Sequence, residues 1–230
     1  MNTSSEDYQV LSIEERGALA AAKLDDLRKQ INAGTWTEHI ETLLKEWAEK
    51  AAGLRFMHNA ASSYWTKHGN NLTMMSIIIS TLASGTSLIA TSIDDNDTKN
   101  IVMYAVGAVG LLSSTIQAFK KFYNSEEKAA DHAVSAKAFG SFYRYMVLQL
   151  GLSPSDRMPS DKLCDYVLKE YERMQQDARP ISSREISMFK AKFDSKVQAF
   201  PDICETDYAV KVFRARQEEA ASAVVGSSAV

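Results

Sequence analysis

Two long uncharged runs stand close together in the middle of an otherwise charged chain, and they limit what the chain can fold into. Residues 72–93 (LTMMSIIISTLASGTSLIATSI) carry no charged side chain. As a helix rising 1.5 Å per residue they reach about 33 Å, enough to cross a hydrocarbon core of about 30 Å. Residues 101–119 (IVMYAVGAVGLLSSTIQAF) are uncharged too, and span about 28 Å, or more if the lysines at 120 and 121 snorkel. The seven residues DDNDTKN between them leave room only for a tight turn, so the spacing predicts an antiparallel hairpin of two membrane spans.

Arg55 and Lys67 precede this hairpin, Lys120 and Lys121 follow it, and its turn holds three Asp and one Lys. That bias places both termini in the cytoplasm. The alternative is a buried hairpin inside a soluble helical bundle, because Ser and Thr recur through the first run. The charged flanks favour the bilayer.

Outside the hairpin the chain is ordinary water-soluble protein: 24% of its 230 residues are charged and its mean hydropathy is -0.23. A net charge of -3 gives no basic field, so nucleic acid is not an expected partner. Cys164 and Cys204 are expected on the reducing side of the membrane, as free thiols. The N-terminal MNTSSEDYQV has neither the basic start nor the apolar core of a signal peptide, so residues 72–93 are expected to direct insertion themselves.

Helix signals fill the rest. Ser12 with Glu15, Thr35 with Glu38, and Ser182 with Glu185 each match a capping box. Leu19, Leu24, Leu27 and Ile31 suit a first amphipathic helix ending near Gly34, and Trp36, Ile40, Leu43, Leu44, Trp47, Ala51 and Leu54 suit a second. That second helix is predicted to run into the first span with a possible break at 69–71, and the helix after the turn to run unbroken from about 101 to 150. Helices are also predicted over 160–179, 182–200 and 205–221, with Pro180 and Pro201 as stops. The expected fold is all-α: a two-span transmembrane helical hairpin whose long cytoplasmic helical extensions form an antiparallel helical bundle. By segment, an N-terminal amphipathic helix occupies 1–34, the hairpin with its helical arms 35–151, cytoplasmic helices 152–222 and a disordered tail 223–230.

Within the first span, Thr73, Ser76, Ser80, Ser84, Ser87 and Thr91 recur at spacings of three and four and share one helix face. Two readings of that face stand. Hydroxyl residues let spans approach and hydrogen-bond, and Gly107, Gly110, Ser114 and Ala118 of the second span offer a matching surface. Alternatively the face lines a water-filled lumen once several hairpins assemble, since one hairpin encloses no pore. Phe122, Ala133, Ala136 and Phe142 are the expected inter-helix or inter-subunit seam beyond the spans.

No enzyme signature is legible. His39, His58, His68 and His132 show no two-histidine metal spacing, and phosphate-loop, dinucleotide and nucleophile-elbow motifs are missing. Asp131 and His132 are adjacent on a helix and so do not face each other. Neither catalytic residue, metal nor cofactor is expected.

A helical arm with Arg55, His58, Tyr64 and Trp65, a two-span hairpin, then EKAADHAVSAKAFGSFYRYM and EYERMQQDARPIS, resembles the SLATT family, two-transmembrane effector modules found beside nucleotide-sensing SMODS and SLOG domains. The resemblance covers residues 40–181. Its motif helix corresponds to Ala129, His132, Phe139, Phe142 and Arg144. It implies a non-enzymatic integral membrane effector that forms homo-oligomers and perforates or depolarises a membrane when a nucleotide-sensing partner fires. The other expectation is a membrane-anchored structural scaffold, such as a virion membrane-associated minor capsid component, bound to a structural protein partner.

Overall fold

A computed structural model of the chain describes residues 13–205 except 91 and 93. Thr91, Ser12 of the first capping box, the helix expected over 205–221 past Glu205, and the tail at 223–230 lie outside the described residues. Every regular element described is helical: α1 (Ile13–Thr35), α2 (Glu38–Ala90), α3 (Asn96–Tyr123), α4 (Ser125–Gly151), α5 (Ser160–Asp177) and α6 (Ser183–Lys192), then a 3-10 turn at Asp202–Cys204.

The longest element is α2, with 53 residues and a length of about 80 Å. It passes through residues 69–71 without a break. Its start differs from the expected box: Thr37 is the capping residue, its Oγ1 accepting from Ile40 N at 3.3 Å. Thr35 instead closes α1 by donating its hydroxyl to Asn32 O at 2.7 Å.

The returning rod is interrupted where continuity was predicted. Asn124 adopts a left-handed conformation, φ 44 and ψ 48, ending α3 and starting α4. Asn is among the few residues that tolerate this region, and its position just after Lys120 and Lys121 marks the end of the apolar run. Among the described residues one helical stretch, Asn96–Gly151, is long and apolar enough to cross a membrane.

The two rods pack side by side and antiparallel. Away from the turn, α4 lies on the first half of α2, and α5, α6 and the 3-10 turn wrap that pair around one core. Leu44, Ala51 and Met57 of α2, Phe139 and Met146 of α4, Leu163 of α5 and Phe189 of α6 are all at most 1% exposed. Segments 35–151 and 152–222 share this core over their described residues. Surface ties reinforce it: Lys50 pairs with Asp202 at 2.5 Å, and Ala199 N donates to Glu49 Oε2 at 2.8 Å.

Helix α6 ends at Lys192 and not near Pro201, because Asp194 turns the chain. Its carboxylate accepts from Lys196 N at 2.9 Å, and its carbonyl from Val197 N at 3.1 Å. Phe193 then folds back onto Phe56, ring centroids 5.2 Å apart. Residues 153–158 likewise form a turn, with Ser153 Oγ donating to Asp156 Oδ2 at 2.6 Å. At the far end, α1 is fastened chiefly at its C-terminus, where Asn32 Nδ2 donates to Arg157 O at 2.6 Å and Ser160 Oγ donates to Thr35 O at 2.9 Å. Its Leu19, Leu24, Leu27 and Ile31 remain exposed.

Candidate functional site

The hairpin and the core beneath it each bring sequence-distant polar residues together. In the hairpin, the seam positions of α2 are 72, 76, 79, 83 and 86, flanked by half-buried 73 and 80, and those of α3 are 99, 102, 106, 109, buried 113, 116 and 120, flanked by half-buried 110. Steps of three and four alternate, which is the 3.5-residue period of a left-handed antiparallel pair. Apolar Leu72, Ile79 and Ala83 face Val102, Val106, Val109 and Ile116 along this seam, and Ser80 Oγ meets the buried Ser113 Oγ at 2.9 Å. Gln117 Nε2 adds a contact to Ser113 Oγ at 3.4 Å.

The hydroxyl face divides accordingly. Thr73, Ser76 and Ser80 are half-buried against α3, whereas Ser84 and Ser87 are exposed on the flank. Burial is decided by the apolar residues of the 3.5 repeat, so a line of hydroxyls on a 3.6-residue helix leaves the seam as it climbs. The matching surface expected on the second span is not the one used. Gly107, Ser114 and Ala118 are exposed and only Gly110 is half-buried. A Cβ added at Gly107 or Gly110 would meet nothing within 4 Å, so neither glycine permits a close approach within this chain. Valines and Ser113 fill that role instead.

Most hydroxyls of the two apolar runs are satisfied locally. Thr73, Thr81, Ser84 and Thr86 donate to the carbonyls of Gly69, Ile77, Ser80 and Leu82, at 2.8 to 2.9 Å. Ser114 and Thr115 do the same on α3, both at 2.9 Å. Such back-bonding lets a hydroxyl sit on an apolar surface without an orphaned proton.

Beyond the apolar runs the rods carry a girdle of rings. Tyr64 and Trp65 lie 5.4 Å apart, Trp65 and His68 6.1 Å, and His68 and Tyr123 6.1 Å. Lys128 Nζ sits 4.4 Å over Trp65, and Arg184 stacks 3.6 Å over Tyr64. Phe122, expected in an inter-helix or inter-subunit seam, points outward at 84% exposure and takes no part in the seam within the chain. It sits in the last turn of α3 just before the Asn124 break, which separates it from the face that α4 packs; Ala136 and Phe142 are buried and Ala133 half-buried.

Deeper in the bundle, His58 of α2 and His132 of α4 are 1% and 4% exposed, and their Nδ1 atoms lie 2.9 Å apart. One Nδ1 must donate and the other accept. Phe139 stacks on His58 at 5.6 Å. Burial, and then the nearby His132, hold the His58 pKa down at about 4. Burial lowers His132 as well, with Arg179 acting in the same direction and Glu185 and Asp131 opposing. Two small cavities flank the pair. One of about 290 Å³ lies on the His58 side, against Phe139, Gln175 and Pro201. The other, of about 230 Å³, lies on the His132 side, against Tyr64, Lys128, Arg184 and Glu185.

The residues of the family-like motif are mostly core. Ala129, His132, Phe139 and Phe142 are buried, Ala129 O accepting from Ser62 Oγ at 2.9 Å. Arg144 is exposed and donates to Ser141 Oγ at 3.0 Å. The connector after α5 is pinned by Arg179, whose Nε donates to Asp131 Oδ2 at 2.6 Å. Among the described residues no group of three His, Cys, Asp or Glu is placed to hold a metal.

The histidine pair was missed in the sequence because its members are 74 residues apart. A signal was present: in an antiparallel hairpin, residues about equally far from the turn meet, and His58 and His132 satisfy that condition as Ser80 and Ser113 do. Comparison with the models of known protein families, with curated proteins and with solved structures finds no match.

Proposed function

We propose that the chain is a non-enzymatic integral membrane protein with two spans and both termini cytoplasmic, which assembles through its hairpin and opens or perturbs a bilayer. The observation that supports this is the uncovered hairpin surface. Met74, Met75, Ile77, Ile78, Leu82, Ile101, Met103, Tyr104, Leu111, Leu112 and Phe119 are each between 51% and 79% exposed. At about 1.5 kcal/mol for each such side chain left in water, the sum is on the order of 15 kcal/mol. That matches the whole net stability of a typical domain, about 5–15 kcal/mol. Lipid or further copies of the hairpin must cover this surface.

The small and hydroxylated flank formed by Ser84, Ser87, Gly107 and Ser114 is unused within one chain and suits contact with a neighbouring copy or with water between copies. Dye leakage from vesicles holding the purified protein tests the reading. Replacing Ser84 and Ser87 by Leu abolishes leakage while insertion persists; leakage unchanged in that variant removes the flank from any lumen.

A scaffold is the second reading, and one observation favours it. Exposed Leu19, Leu24, Leu27 and Ile31 on α1 offer an apolar face at the end of the bundle, suited to a structural partner. Substituting Leu24, Leu27 and Ile31 by Ser abolishes partner recruitment on this reading and leaves vesicle leakage intact.

A further inference from the structure

The break between α3 and α4 opens a cleft of about 400 Å³ against α2. Gly69, Ser76, Gln117, Lys120 and Lys121 line it, together with Asn124, Ser125 and Glu126 at the start of α4. Three independent features of this cleft suit the same ligand.

A helix of 27 residues begins there, and the Asn124 side chain, whose Nδ2 donates to Glu127 Oε2, makes no capping hydrogen bond to the helix amides. The first amides of such a helix have no intrahelical acceptor, and its N-terminus carries partial positive charge, so the position favours an anion. Two lysines, Lys120 and Lys121, line the same cleft. Lys120 is paired with Glu126 at 3.3 Å, a carboxylate whose side chain is 76% exposed. Lys121 makes no ion pair among the described residues. Glu127, the other carboxylate of the first turn, does not line the cleft and is held by Arg179 at 3.3 Å.

The third feature is Ser125. It is 3% exposed, it lines the cleft, and its Oγ has no hydrogen-bond partner. A buried hydroxyl without a partner is costly, and an oxygen-rich ligand in the cleft would accept its proton. The depth also fits. The cleft lies at the end of the second apolar run, beside the His68–Tyr123 ring contact at 6.1 Å, where aromatic rings meet the headgroups of a bilayer.

We propose that this cleft binds a phosphate group through the α4 N-terminus, Lys121 and Ser125 Oγ. The phosphate is carried by an anionic lipid headgroup or by a free phosphate ester. Only the lipid source rests on the membrane reading.

The test uses the full-length protein in two settings. In nanodiscs containing phosphatidylcholine with phosphatidylglycerol, native mass spectrometry counts the retained anionic lipid. In detergent, the thermal unfolding midpoint is followed as glycerol 1-phosphate is titrated. Wild-type protein retains phosphatidylglycerol in preference to phosphatidylcholine, and retention falls about tenfold in Lys121→Ala, the loss of one charge-assisted contact. It falls several-fold in Ser125→Ala and persists in Lys121→Arg. Ser125→Ala folds at least as stably as wild type without ligand, because it removes an unpartnered hydroxyl. A rise in midpoint with glycerol 1-phosphate, lost in the same variants and without preferential lipid retention, upholds the phosphate site and assigns it a soluble ester. Equal retention in wild type and variants, with no midpoint shift, overturns it. The detergent arm needs no bilayer, so its outcome is independent of whether the hairpin inserts.

Discussion

His58 Nδ1 lies 2.9 Å from His132 Nδ1, across the packed faces of α2 and α4. Both rings are buried, and the arrangement requires one proton between the two nitrogens. A second proton at that contact would set two cations against each other in a site of low polarity.

Stability should therefore depend on pH. The His58 pKa is about 4 in the folded chain and near 6.5 when unfolded. Between these values the unfolded state binds more protons, so stability is complete above about pH 6.5, is lost as pH falls towards about 4, and levels off below. The loss is on the order of 3 kcal/mol for His58, with His132 adding in the same direction. Urea unfolding in detergent at a series of pH values measures it.

Substituting one histidine leaves the other buried without its partner. His58→Phe should cost about 1–3 kcal/mol, and His132→Leu a similar amount. The double variant should cost less than the two added together and should flatten the pH dependence. Additive costs with an unchanged pH profile would contradict the pairing.

Gly53 of α2 packs against Pro201, which leads into the 3-10 turn, and against Phe189 of α6. A Cβ there would lie 2.7 Å from Pro201 Cγ, 2.9 Å from its Cδ and 3.0 Å from Phe189 Cζ. The proline ring and its 3-10 turn give little, so Gly53→Ala should destabilise by about 1–3 kcal/mol. Chemical denaturation with wild type alongside decides this.

The hairpin seam is open to cross-linking. With Cys164 and Cys204 replaced by Ser, Ser80→Cys combined with Ser113→Cys places two thiols where hydroxyls stand 2.9 Å apart, within reach of a disulfide after small adjustment. Mild oxidation should close it within one chain, giving a monomer of altered gel mobility. A bond formed only between chains would show that the spans pair differently.

Asn124 holds φ at 44. Asn124→Gly should leave stability within a few tenths of a kcal/mol, while Asn124→Val should cost about 1–2 kcal/mol, because a β-branched side chain resists the left-handed region. Thermal unfolding of both variants reads the difference.

The helices were legible because heptad-like apolar spacing, Pro180 and the uncharged runs are local signals. Asn124 was not, since a single residue between Tyr123 and Ser125 leaves the helical periodicity nearly intact and αL geometry depends on how α4 packs on α2. The hydroxyl face was visible as a pattern, but its use was not. Whether Ser84 joins Ser80 in the seam depends on the supercoil of two helices, which the spacing of one helix does not contain. Phe139, Phe142 and Ala129 stood out through the family resemblance, and the structure assigns them to the core. The cleft at Ser125 had no signal, because it exists only where Gly69 of α2 passes the break.

The membrane reading is tested most directly by topology. In a background lacking Cys164 and Cys204, single cysteines are placed at Asp94 in the turn and at Lys169 on exposed α5, and sealed vesicles are treated with a membrane-impermeant maleimide. Two spans predict that the two positions label from opposite sides of the bilayer. Labelling of both from the same side would contradict the two-span hairpin.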